Sequence, residues 1–195
     1  KQAFEAALKI DKSFWYSSSG LIQAKRSGYT LYNKAFYLAN NSLYIKDDVK
    51  RQAQLDKSLE LFKKSREEIK EENWKWLVDD GESWVSYYKK DYEKAKEGFT
   101  TVIKKQPKAY LSHRGLSYVA AAEKKWDDAG KSLYKSLSLA PYQGVGIYTF
   151  ITKELIENEK FKSAKDILEF GEKIYPYSGD IQFLLAKTYK GMKDN

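Results

Sequence analysis

Three segments of this chain share one spelling: YEKAKEGFTTVIKKQP at 92–107, WDDAGKSLYKSLSLAP at 126–141 and FKSAKDILEFGEKIYP at 161–176. Superposed, they align Tyr92 with Trp126 and Phe161, Ala95 with Ala129 and Ala164, and Phe99 with Leu133 and Leu168. Each closes on a proline, and the prolines stand 34 and 35 residues apart. A fixed period between about 20 and 50 residues marks a stacked repeat, because each unit is too small to bury its apolar face without a neighbour. On an α-helix the aromatic, the Ala three later and the large residue four after that fall on one stripe. Ala lets a second helix approach closely. The proline cannot continue a helix, so it stops one, and Lys104, Lys105 and Lys173 sit near the negative end of the dipole.

The same frame fits residues 32–47, with Tyr32, Ala35, Ala39, Ser42 and Leu43 in register and Asp47 in place of the proline. It also fits the first dozen residues, where Phe4, Ala7, Leu8 and Ile10 take the slots and Lys12 lies 35 before Asp47. Between these stretches lie partner helices: 109–123 with Tyr110, Leu116 and Ala120, 143–157 with Tyr148, Ile151 and Leu155, and 179–190 with Leu185, Ala186 and Tyr189. The pattern resembles the tetratricopeptide repeat (TPR), a 34-residue helix-turn-helix whose second helix bears Ala, then an aromatic or Leu, then Pro. Leu116, Ser117 and Ala120 in one copy, and Leu185, Ala186 and Tyr189 in the last, take the family's Leu, Gly and Tyr slots. The likeness covers most of the chain outside 48–75. It is strongest in the second helices, and the Trp-Leu-Gly signature of the first is never complete. The resemblance implies an all-α, right-handed α-solenoid of TPR-like helix-turn-helix repeats serving as a non-enzymatic protein-binding scaffold.

The period breaks once. From Asp47 to Pro107 is 60 residues, and Val49, Leu55, Leu59, Phe62 and Ile69 give helical spacing amid dense charge. This predicts one extra long helix from about 48 to 72, capped by Asp47 or Asp48. An extra helix packed on the solenoid, or replacing a lost repeat, is preferred to a hinge between 1–47 and 74–195. The expected organisation is a partial plus one TPR-like repeat over 1–47, an inserted or linking helix over 48–73, and three repeats plus a C-terminal capping helix over 74–195. Residue 1 falls inside a second helix whose partner is missing, which predicts a natural protein extending upstream of Lys1.

Composition agrees and removes some alternatives. With three prolines and 11 glycines, turns are too few for an all-β chain. The absence of cysteine excludes disulfides, thiolate nucleophiles and Cys-ligated zinc, and leaves the redox compartment open. The missing thiols and initiator Met lean toward an exported or membrane-tethered parent, with a cytoplasmic one the alternative. No apolar run reaches the roughly 20 residues of a membrane helix. The formal charge is +8, but of 35 basic residues only Arg26, Arg51, Arg66 and Arg114 are arginine. Lysine-rich helix faces read first as solvated surface, which disfavours nucleic acid as the partner and keeps an RNA- or polyanion-binding helical repeat as the alternative function.

No constellation for catalysis emerges, and no cofactor or metal is expected. His113, the single histidine, lacks a base partner, GVG at 144–146 lacks the third glycine and the preceding strand of a dinucleotide loop, and the pairs Asp79-Asp80, Asp127-Asp128 and Glu67-Glu68 suit helix capping. Surface recognition is left. The resemblance implies that first helices line a concave groove, whose inward slots here are Trp84, Tyr87 and Tyr88, then Arg114 and Tyr118, then Lys153. Packing between helices is the competing role for Trp84 and Tyr87. An aromatic and basic groove suits a peptide or protein with acidic and apolar positions. The family's clamp for chaperone C-terminal carboxylates needs a Lys, Asn, Asn, Lys, Arg set that these slots do not supply. A severed solenoid end would also permit self-association.

Overall fold

The computed structural model describes residues 27–194; the expected partial repeat at the start of the chain lies outside them. The described residues form nine α-helices and two short 3₁₀ turns, with no strand. By packing, the chain divides after Gln106 into two compact units. The expected breaks at 47/48 and 73/74 lie inside the first unit.

The first unit contains α1 (Ser27–Asn41), a 3₁₀ turn (Ser42–Tyr44), α2 (Asp48–Glu68), a second 3₁₀ turn (Glu72–Trp74), α3 (Trp76–Tyr88) and α4 (Tyr92–Lys105). The long helix predicted from the charge-rich stretch is α2. Asp47 caps it by accepting from the Lys50 N–H at 2.9 Å, and it stops four residues short of 72 because Ile69 turns extended and buries its side chain. Helix α1 begins before Tyr32 rather than at it, yet Tyr32, Ala35 and Ala39 are all buried. Its neighbour is α2, running antiparallel: the Gln54 side-chain amide donates to Leu38 O, the Ser58 hydroxyl to Ala35 O and the Ser65 hydroxyl to Gly28 O, at 2.8, 2.7 and 2.7 Å. Leu55 and Phe62 of α2 share one core with Tyr29, Tyr32, Val78 and Val85. At Gly81 of α3 a Cβ would stand 2.3 Å from the Phe62 ring, so only glycine admits this approach of α3 to α2.

The second unit contains α5 (Tyr110–Ala122), α6 (Trp126–Leu139), α7 (Val145–Glu157), α8 (Phe161–Ile174) and α9 (Gly179–Asp194). Its core gathers Ala129, Leu133 and Leu137 of α6, Tyr148, Ile151 and Leu155 of α7, Ala164, Ile167 and Leu168 of α8, and Ile181 of α9. Gly144, at φ +90°, turns the chain into α7.

The repeated spelling is repeated structure. Helices α4, α6 and α8 begin on Tyr92, Trp126 and Phe161, and the aligned Ala95, Ala129 and Ala164, like Phe99, Leu133 and Leu168, are fully buried. All three helices end two residues before their proline. The residues between, Gln106, Ala140 and Tyr175, leave the helical region in the same way (φ −136°, −146° and −129°), and the ring of a following proline disfavours the helical conformation there. The turns leading into these helices also recur: Lys90, Lys124 and Glu159 take left-handed φ of 64°, 59° and 59°. Behind each, the next N–H reaches back five residues, Asp91 to Ser86 O, Lys125 to Ala120 O and Lys160 to Leu155 O, which is a Schellman closure of the preceding helix.

Candidate functional site

The predicted groove residues belong to first helices, and the two units hold them differently. In the first unit the C-terminal turn of α3 carries Trp84, Tyr87 and Tyr88. Trp84 is only 3% exposed and packs edge-on against Phe99 of α4, with ring centroids 5.2 Å apart, so its indole is core. Tyr87 and Tyr88 are half-buried. Their rings lie 5.8 and 5.9 Å from Trp84, Tyr87 also meets Tyr92, and the Tyr88 hydroxyl donates to the Asn40 side-chain oxygen at 2.6 Å. The three aromatics therefore form one cluster, in which Trp84 is buried, the two tyrosines are half-buried and the Tyr88 hydroxyl is engaged by Asn40.

In the second unit Arg114 and Tyr118 stand one turn apart on α5. The Arg114 guanidinium donates to the Gln143 side-chain oxygen at 3.2 Å, and Gln143 in turn donates to Ala140 O and Ser136 O, tying α5 to the loop before α7. Burial pushes the Tyr118 phenol above its ordinary value, and Arg114 draws it partly back. The Tyr118 ring meets Phe150 of α7 at 5.6 Å. Phe150 is 61% exposed, Lys153 lies exposed one turn further along, and Phe183 of α9 is 69% exposed. Phe150 and Phe183 were not among the residues that the sequence singled out. Their signal was an aromatic on each of two successive first helices, 33 residues apart, but an aromatic facing water is spelled like one facing the core.

The half-buried His113 ring nitrogen sits 3.1 Å from Pro107 O, and burial, with Lys135 nearby, lowers its pKa against the raising effect of that carbonyl. Asp127 and Asp128 occupy the first turn of α6, where negative charge complements the dipole. Glu67 and Glu68 instead end α2 and are exposed, while Asp80 is buried in α3. Among the described residues no group of three or more His, Asp and Glu side chains is placed to hold a metal ion. No helix among them is long and apolar enough to cross a membrane.

No family model and no curated protein matches the chain by sequence. Solved structures do match by shape. PilW, a type IV pilus biogenesis factor, superposes with a TM-score of 0.59 at 15% identity, covering 94% of this chain and 88% of that one. A putative kinesin light chain of Podosopora anserina with nearly identical TPR-like repeats superposes at 0.57 and 12% identity, covering 84% and 87%. Cut9 in the APC/C Cut9-Hcn1 hetero-tetramer structure gives 0.53 at 16% identity over 96% of this chain, which spans only 38% of that one. The chain has a tetratricopeptide-repeat fold. Within that fold one departure from the repeat's spelling has a physical substitute. Ser117, in the family's Gly slot, is fully buried, and its hydroxyl donates at 2.8 Å to the carbonyl of Ala129, the family's small residue on the facing helix. The extra atoms are accommodated by a hydrogen bond between the two helices of the TPR hairpin.

Proposed function

We propose that this chain is a non-enzymatic scaffold that binds a protein or peptide partner through aromatic and basic side chains on its first helices. The observation that carries this reading is the Tyr118–Phe150 pair, two rings in contact across α5 and α7, with Phe150 left 61% in water and with Arg114 and Lys153 on the same two helices. Aromatic rings and arginine on a rigid frame supply contact area at little cost in conformational entropy, so a segment with apolar positions flanked by acids is the chemically matched guest. The half-buried Tyr87 and Tyr88 of the first unit are a second aromatic pair assigned to the partner in this reading. The similar folds lend support, since PilW is a pilus biogenesis factor and Cut9 is assembled with Hcn1 in a hetero-tetramer.

A panel of acidic-apolar peptides, titrated against the wild type and against Arg114→Ala/Tyr118→Ala, tests the proposal. The double variant is expected to bind at least tenfold more weakly with unchanged far-UV circular dichroism; full affinity in the double variant removes these residues from the site. The competing polyanion reading, which draws on the +8 charge, predicts RNA binding with an affinity that falls steeply and linearly in log salt. Peptide binding with a shallow salt slope and no RNA binding excludes it.

A further inference from the structure

The first unit holds a second concavity, separate from the aromatic cluster of Trp84, Tyr87 and Tyr88. It is an open cleft of about 710 Å³, walled by the end of α2, the 72–74 turn, the start of α3 and the end of α4. That is the size range of small-ligand sites. Trp74 and Trp76 form its apolar lining, and Trp74 is held from behind by the buried Tyr29, edge-on at 6.5 Å.

The electrostatics of the cleft are asymmetric. Asp79 is the acid set deepest, and it is already engaged twice: Arg66 donates at 2.7 Å and Lys105 at 3.0 Å. Arg66 directs its other amine to Glu82 at 2.9 Å, which fixes the guanidinium in place. Lys105 comes from the end of α4 and lines the cleft with its side chain 58% exposed; its ammonium has three N–H donors, of which one serves Asp79. Lys75 pairs with the outermost acid, Glu72, whose side chain is 81% exposed, and an exposed pair of that kind is worth little and opens readily. Both carboxylates of the lining, Glu72 and Asp79, are thus paired, and three cations, Arg66, Lys75 and Lys105, stand beside them with the amides Asn73 and Gln106 and the two indole rings.

We propose that this cleft binds a carboxylate-bearing group with an apolar body, the carboxylate meeting Lys105 and Lys75 and the body lying against Trp74 and Trp76. The site is independent of the Tyr118–Phe150 face, uses Arg66 as a positioning residue, and draws on the extra helix α2 for its rear wall. Carboxylates of this description come from a free peptide C-terminus or from an internal Glu beside an apolar residue, and the test separates the two.

The probes are N-acetyl-phenylalanine, its carboxamide, and an end-blocked peptide with an internal Glu-Phe. Binding is read on the full chain from the indole ¹H–¹⁵N resonances, with Trp74→Phe and Trp76→Phe assigning the two signals of interest. The free acid is expected to shift both indoles saturably, the carboxamide to bind at least fivefold more weakly, and Lys75→Gln/Lys105→Gln to reduce the acid's affinity at least fivefold while the other indole signals hold their positions. If the end-blocked peptide matches the free acid, the recognised source is an internal Glu. Equal binding of acid and carboxamide, or no shift of either indole with 10 mM of each probe, on the order of one hundred times a 0.1 mM protein sample, overturns the proposal. None of these results depends on whether Arg114 and Tyr118 bind a peptide.

Discussion

At the scale of single residues, the tightest constraints fall on positions whose neighbours leave no choice. Ala95, Ala129 and Ala164 are fully buried where helices meet, and the large residue four further on fills the space beside each. Packing dictated both sizes, so both were legible in the sequence. The left-handed residues were not. Lys90, Lys124 and Glu159 recur at intervals of 34 and 35, but a lysine or glutamate carries no mark of positive φ, and the glycine that would have announced it is absent. Their conformation is imposed by the Schellman closure at a cost of roughly 1–2 kcal/mol of local backbone strain for a residue with a Cβ. Glu159→Gly should therefore stabilise the second unit by about 0.5–1 kcal/mol after the unfolded-state entropy of glycine is deducted, seen as a higher urea midpoint at unchanged slope. A midpoint that stays or falls contradicts the reading of that turn. Trp84 shows the opposite limit: its helix carries aromatics on more than one face, and the sequence alone did not decide which ring was core.

At the scale of elements, α2 is where the repeat spelling fails and packing takes over. Its surface is mostly charged, and Leu55, Ser58, Phe62 and Ser65, spaced by three and four, run as one buried line along it. Half of that line is serine, satisfied by α1 carbonyls, which is why a hydrophobicity pattern marked the helix without showing how closely α1 would lie against it. Phe62 joins the line to α3 by filling the space that Gly81 leaves open. Phe62→Ala should cost about 3–5 kcal/mol in chemical denaturation of the first unit; a loss below about 1 kcal/mol would mean that α2 is not part of that core. The 48–72 expectation overshot at its C-terminal end because nothing local stops a helix at Glu68; the stop is set by Ile69 entering the core. The repeat frame put Arg114 and Tyr118 on one helix, and α5 carries both one turn apart. The exposed rings on α7 and α9 were not legible, since exposure is a property of neighbours.

At the scale of the whole molecule, the period of 34–35 residues is the quantity from which the rest follows: three hairpin turns, three pre-proline breaks and three buried alanines keep the same spacing. The expected segmentation at 47/48 and 73/74 followed changes in spelling, whereas compactness divides the chain after Gln106, the residue before the first of the three prolines. Spelling records how a unit is built and compactness records which units share a core, so the two rulers need not coincide. The chain has no cysteine, which makes one measurement clean. Single cysteines placed at Ala95, Ala129 and Ala164, and two residues on at Glu97, Lys131 and Asp166, can be labelled by a thiol reagent under native conditions. The first three positions are buried and the second three exposed. The account predicts that the alanine-site thiols react at least a hundredfold more slowly than the exposed set, a ratio worth about 2.7 kcal/mol of protection, and match it once the chain is denatured. Equal rates in the native protein at all six positions would contradict the repeat.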